Sequence, residues 1–172
     1  MKDIILRIRT EFAGENAPPR CGEVPLLSEE EEDRVMDQVL GPPPEEEDGD
    51  VVELTTEATW DEEDDRVTIA YEESELSGME GTVTKITFRR AEPTLVSIIR
   101  EGAFCSTLVL EQGRSHTGLY ETPVMPMEVT TRAHLLQNGL TADGGTLTLD
   151  YSVRIGAITT TRTKLKMEIR PV

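Results

Sequence analysis

Three groups of side chains in this sequence have types and spacings that could do chemistry. The first is Tyr71-Glu72-Glu73-Ser74-Glu75, followed by Gly78, Glu80 and Gly81. On an extended strand alternate residues share a face. Tyr71 and Glu73 would then point with Val67 and Ile69, and away from Glu72. If that face is interior, Glu73 is a buried carboxylate, which must be paired, hydrogen-bonded or protonated. It would serve as a polar anchor for a ligand or as a general base. The plainer reading ends the strand at Glu72 and leaves Glu73, Glu75 and Glu80 on a rim, capping amides of the 74–81 loop. Gly78 and Gly81 supply positive φ or close backbone approach in either case. The surrounding carboxylates disfavour a phosphate cradle. An all-carboxylate Ca²⁺ or Mg²⁺ site over 72–80 is the one metal arrangement left open.

The second group is His116, Tyr120 and Glu121. In a strand, His116, Gly118 and Tyr120 share a face, Gly118 leaves room between them, and Glu121 lies on the other side. The functional reading is a His-Tyr polar group near Glu73. The plainer one is a hydrogen-bonded structural histidine. Acid–base catalysis would need His116 and Glu73 within hydrogen-bond reach. His134 alternates with Glu128, Thr130 and Arg132 and reads as exposed. Histidines on different faces, with Cys21 and Cys105 far apart, make no zinc set. The two cysteines read as reduced thiols. Ser115 and His116 point to opposite faces and no G-x-S-x-G elbow exists. No metal or cofactor is expected, and an enzyme is the least supported class.

The third group is basic. Arg7 and Arg9 alternate with Ile4, Leu6 and Ile8, and Arg162, Lys164, Lys166 and Arg170 alternate with Leu165, Met167 and Ile169. If the first and last strands pair, these six bases share one outer face. Like charges across strands are mildly destabilising, so an anion should be nearby. It would come from an anionic partner or from the chain's own acidic segment folded back over the seam.

The elements that must position these groups are strands. Inward rows with period two run through Val52-Leu54-Thr56-Ala58-Trp60, Val67-Ile69-Tyr71, Thr84-Ile86-Phe88 and Phe104-Ser106-Leu108-Leu110. A short apolar strand covers 93–99. Further rows are Met127-Val129-Thr131-Ala133-Leu135 and Leu147-Leu149-Tyr151-Val153-Ile155. Thr and Val enrichment favours strands. Turn signals separate them: the acidic run Asp61–Asp65, Glu111-Gln112-Gly113-Arg114, Asn138-Gly139 and Asp143-Gly144-Gly145. Links this short join antiparallel neighbours. About 8–10 strands make a sandwich or a closed barrel, and a barrel removes exposed edges.

The chain of 172 residues suits a single domain, 1–172, with a formal net charge of −17. Segment 11–50 holds 14 acidic and 2 basic side chains and six of the ten prolines. That is the composition of a solvated insertion after the first strand, partly helical or disordered. Ser28 and Glu31 form a capping box before Val35, Met36, Val39 and Leu40. The acidic balance argues against chain-wide nucleic-acid binding. No apolar run is long enough to cross a membrane as a helix, and the first residues lack a secretory pattern. A cytoplasmic protein is expected.

YEESELSGMEGT at 71–82, SHTGLYETP at 115–123 and GGTLTLDYSV at 144–153 resemble the YwiB-like family of bacterial domains of unknown function. The resemblance covers 1–10 and about 51–170, and departs after Pro123, where Val124, Met125 and Pro126 stand. It implies an all-β, closed antiparallel barrel of the calycin (lipocalin-like) kind, with an interior that could hold a ligand. It implies no reaction. The function expected is non-enzymatic binding of a small ligand, apolar ones included, in the barrel by Tyr71, Glu73, Glu75, Glu80, His116, Tyr120 and Trp60. The alternative is an interaction module binding an anionic protein or nucleic acid at Arg7, Arg9, Arg162, Lys164, Lys166 and Arg170. The oligomeric state is left open.

Overall fold

The computed structural model describes residues 1–13, 50–103, 105–121, 125–156 and 159–172; the side chains of Ala13, Tyr120, Glu121 and Thr159 lie outside the description. The capping-box helix, Cys21 and Phe104 fall outside the described residues.

Ten strands follow one another up and down: β1 Lys2–Ala13, β2 Asp50–Glu63, β3 Arg66–Glu72, β4 Thr82–Arg89, β5 Glu92–Gly102, β6 Cys105–Glu111, β7 Ser115–Glu121, β8 Pro126–Asn138, β9 Gly145–Ile155 and β10 Thr159–Pro171. Each pairs antiparallel with its chain neighbours, and β1 pairs with β10, closing a barrel. Segment 11–50 is entered later and left sooner than its composition indicates: β1 runs to Ala13 and β2 starts at Asp50. The Asp61–Asp65 run continues β2 and turns at Asp64, whose φ is 53°.

The inward rows are as the alternation requires. Ile4, Leu6, Val67, Ile69, Ile86, Val96, Leu110, Leu147 and Met167 have no exposed surface. β8 is the exception. A bulge between Ala133 and Leu135 adds one residue, so Leu136 is buried and Leu135 is 38% exposed. Strict alternation puts Leu135 inside; the extra residue reverses the parity beyond it.

The circle is thinnest between β6 and β7, which share the register pairs Cys105–Glu121 and Ser106–Tyr120. There β8 reaches β6 directly. Thr131 Oγ1 donates to the Val109 carbonyl at 2.6 Å, Gln112 Nε2 donates to the His134 carbonyl, and the Leu136 amide donates to Gln112 Oε1 at 2.6 Å.

Candidate functional site

The barrel has two unlike ends. At the end where β2 turns into β3, and β6 into β7, the interior is aliphatic and aromatic. Trp60 sits there, 3% exposed, with Phe88 edge-on at 6.2 Å. Its indole N–H donates to Glu62, and the Arg90 guanidinium lies over its ring. Trp60 is therefore a packing residue of the closed end, one inward step along β2–β3 from the Tyr71 level.

At the opposite end the inward residues become polar. Register places Tyr71 beside Thr84, Thr84 beside Arg100, and Arg100 beside Ser106. Side chains at one level of four consecutive strands thus form an arc around the interior. Glu73 joins it from just past β3. The pleat persists to that point, because the Glu73 amide donates to the Thr82 carbonyl at 2.9 Å. The Glu73 carboxylate is 8% exposed and accepts from Thr84 Oγ1 at 2.6 Å. It is an interior group and not a rim group.

Two buried tyrosines complete the arc. Burial, then the Glu73 charge, raises the Tyr71 pKa far above its ordinary value, against a smaller opposing effect of Arg100. Burial also raises that of Tyr151, against the charge of Arg100 and hydrogen bonds from Thr163 and Arg100. Both hydroxyls stay protonated at neutral pH and remain able to donate. Arg100 is the member that the sequence reading missed. It alternates with Val96 and Ile98, both buried, so it points inward. Its Nε is enclosed and has no hydrogen-bond partner among the described residues. Ser74 Oγ, next to Glu73, is buried in the same unpartnered state.

This end is also less filled. Leu54, Val153 and Ile155 are only partly buried, although they pack on the core. Ser106 and Met127 are partly exposed as well. Glycine lets the wall close tightly: a Cβ on Gly102, at φ 123°, would lie 2.3 Å from the Gly81 carbonyl oxygen. Among the described residues the result is a polar cup of partly filled positions above a packed core. A separate shallow concavity of about 200 Å³, lined by Arg66, Phe88 and Glu92 among others, lies at the other end and contains none of these groups.

The remaining candidates fall elsewhere. Glu75 and Glu80 are exposed on the loop between β3 and β4, where a short 3-10 turn, Glu75–Ser77, ends at Gly78 with φ 70°. Once Glu73 turns inward, Glu72, Glu75 and Glu80 stay outside, and among the described residues no three His, Cys, Asp or Glu side chains converge as metal ligands do. His116 Nε2 lies 2.9 Å from Glu111 Oε2, with β7 four places from β3 around the barrel. The His116–Glu73 pair needed for acid–base chemistry is not formed, and the expected proximity of the two groups is not found. Tyr120 is in register with Ser106; its side chain lies outside the described residues.

His134 is not a freely exposed residue. It is partly buried on the outer wall and its Nε2 lies 2.8 Å from Ser152 Oγ. Burial lowers its pKa, Asp150 opposes that, and Arg162 and Arg132 add to it. Asp150 holds Arg162 through two hydrogen bonds of 2.9 and 2.8 Å. Burial raises the Asp150 pKa, but Arg162, His134 and Lys164 together bring it below the ordinary value.

The six bases do share the outer face of the closing seam, where Arg7 lies opposite Glu168 and Arg9 opposite Lys166. The nearby anion is supplied within the sheet. Arg7 and Arg9 both face Glu53, Arg9 also pairs with Glu11, Arg162 with Asp150 and Arg170 with Glu168.

The model of the family described as DUF1934, a domain of unknown function, matches residues 43–167. The chain belongs to this family. Its fold is similar to that in the crystal structure of ywiB protein from Bacillus subtilis, with a TM-score of 0.69 at 13% identity, covering 99% of this chain and 92% of that one. At that identity the likeness shows the fold alone, and it agrees with the barrel that the YwiB-like motifs imply. A search of curated proteins gives no match. No helix among the described residues is long and apolar enough to cross a membrane.

Proposed function

We propose that this protein is a non-enzymatic binding protein that holds a small molecule in the polar cup at the open end of its barrel. The observation that carries this reading is Arg100. A guanidinium whose Nε is enclosed and unpartnered is costly to keep, since a buried donor without an acceptor loses about 1–3 kcal/mol. A ligand that supplies the acceptor recovers that loss. Leu54, Val153 and Ile155, partly buried above the core, offer apolar walls to the rest of the molecule. We place this activity in the cytoplasm, where an exposed free thiol such as Cys105 stays reduced.

Native mass spectrometry of the full chain tests the reading. The expected result is an added small-molecule mass that disappears on denaturation and is missing from Val153→Arg, whose larger side chain occupies the cup. A bare protein mass, combined with no binding of the neutral fluorescent probe N-phenyl-1-naphthylamine, would overturn it. At the seam, Glu11, Glu53, Asp150 and Glu168 interleave with the bases, which works against an anionic partner there.

A further inference from the structure

We infer that the cup selects a monoanionic ligand, a carboxylate or sulfonate, seated on the Arg100 guanidinium with its apolar body against Leu54, Val153 and Ile155. This rests on the cup being the binding site, and it specifies what the site takes.

The argument begins with charge. Among the described residues no carboxylate lies within ion-pair distance of Arg100, although the chain as a whole carries 34 acidic side chains. The nearest acid in the arc, Glu73, is occupied by Thr84 Oγ1 at 2.6 Å, and its charge acts on the Tyr71 hydroxyl. Thr84 separates Glu73 and Tyr71 from Arg100 along the ladder. The interior is therefore divided between a carboxylate whose donors are internal and a cation whose Nε donor is unused.

The second step is geometry. Arg presents a planar fork of donors matched to the two oxygens of a carboxylate. Tyr151, whose hydroxyl is near enough for the Arg100 charge to act on it, stays protonated inside the barrel and adds a further donor on that side. Neutral acceptors such as alcohols would satisfy one donor and leave the cation uncompensated. A dianion such as a phosphate monoester would bring excess negative charge next to Glu73, in surroundings where charges are weakly screened. A guanidinium that forms no ion pair among the described residues and keeps an unused Nε donor fits a single added negative charge.

The third step is the balance against the rest of the molecule. A net charge of −17 repels anions at long range, but ions screen that repulsion beyond about 8 Å at physiological salt. Contact with Arg100 acts at hydrogen-bond range, inside the wall, where screening is weak.

The experiment compares two probes sharing one ring system, 8-anilinonaphthalene-1-sulfonate and the neutral N-phenyl-1-naphthylamine, titrated into the full chain at physiological salt. The wild type should bind the sulfonate about tenfold or more tightly than the neutral probe, the factor expected of one charge-assisted contact. Arg100→Gln should remove that preference and retain the neutral probe. It should also melt no lower than the wild type without ligand, because it removes a partly buried cation whose enclosed Nε has no partner among the described residues. Arg9→Gln, on the outer seam, should change neither affinity. Equal affinities in the wild type, an unchanged preference in Arg100→Gln, or a loss in Arg9→Gln would each overturn the inference while leaving the cup as a binding site. Failure of both probes to bind would instead remove the cup itself. If Arg100→Gln does not fold, Arg100→Lys decides the matter: it keeps the charge without the fork, and undiminished sulfonate affinity there would overturn the role of the fork.

Discussion

The two ends of this barrel are built from the same ten strands and differ in almost everything else. At the closed end the inward residues are Ile69, Ile86, Leu149 and Met167, with at most 1% exposure, and Trp60 packs on Phe88. At the open end the same strands present Tyr71, Thr84, Arg100 and Tyr151, with half-filled apolar positions beside them. One half of the cylinder is a core and the other is a vessel standing on it. The proposed binding would then be separated from stability by height along the barrel, so each could be perturbed with little effect on the other.

The largest expected effect breaks this comparison if it fails. Ile69→Ala should cost about 3–4 kcal/mol in urea unfolding, the usual cost of emptying a fully buried aliphatic site. Leu54→Ala, in the partly buried region, should cost about 1 kcal/mol. Similar losses at the two positions would mean that the open end is as much a core as the closed one. An intermediate effect concerns the outer wall beside Tyr151. Asp150 and Arg162 are 14% and 18% exposed and doubly hydrogen-bonded. Asp150→Ala removes both of these hydrogen bonds from the half-buried guanidinium and should cost about 2 kcal/mol, whereas the double change Asp150→Leu with Arg162→Met should recover most of it. No recovery in the double variant would show that the pair is required for more than mutual compensation.

The smallest effect is a pH dependence. Burial holds the His134 pKa below its unfolded value of about 6.5. The unfolded chain then binds more protons in this window, so stability is complete above about pH 6.5 and falls as the pH drops towards the folded-state pKa. Asp150, also depressed in the folded state, adds its own loss at lower pH, below about 4. His134→Gln should flatten the upper part of the curve, measured by thermal melts between pH 7 and 5, with a change of under about 1 kcal/mol. An unaltered curve would remove His134 as its source.

How much of this was legible in the sequence follows from what alternation can and cannot report. Period two reports the face of a strand, and it puts Tyr71 and Glu73 on one face; whether the strand reaches Glu73 or leaves it on a rim stays open until its burial decides for the interior. It does not report height. Trp60 and Tyr71 both face inward, but only the register Trp60–Ile69 and Ala58–Tyr71 shows them at different levels. Register also separates His116 from Glu73. Arg100 carried a usable signal, the shared parity of Val96, Ile98 and Arg100, but it stands just past an apolar run at 93–99 that looks complete without it. A charged residue that extends an apolar row is easily taken for the end of the strand. The bulge beside His134 left no such mark: nothing in Ala133-His134-Leu135-Leu136 distinguishes a flat strand from one with an added residue.

The bridging of β6 by β8 has a consequence for the order of assembly. Thr131, Gln112 and the Leu136 amide tie β8 to β6 and its turn directly, so the ring can complete its circuit before β7 has docked. β7 itself is held by two register pairs to β6 and seven to β8. Its backbone would open in fluctuations too small to disturb the packed half of the cylinder. The route into the interior need not pass through the mouth alone: a stave can lift from the side while the hoop holds.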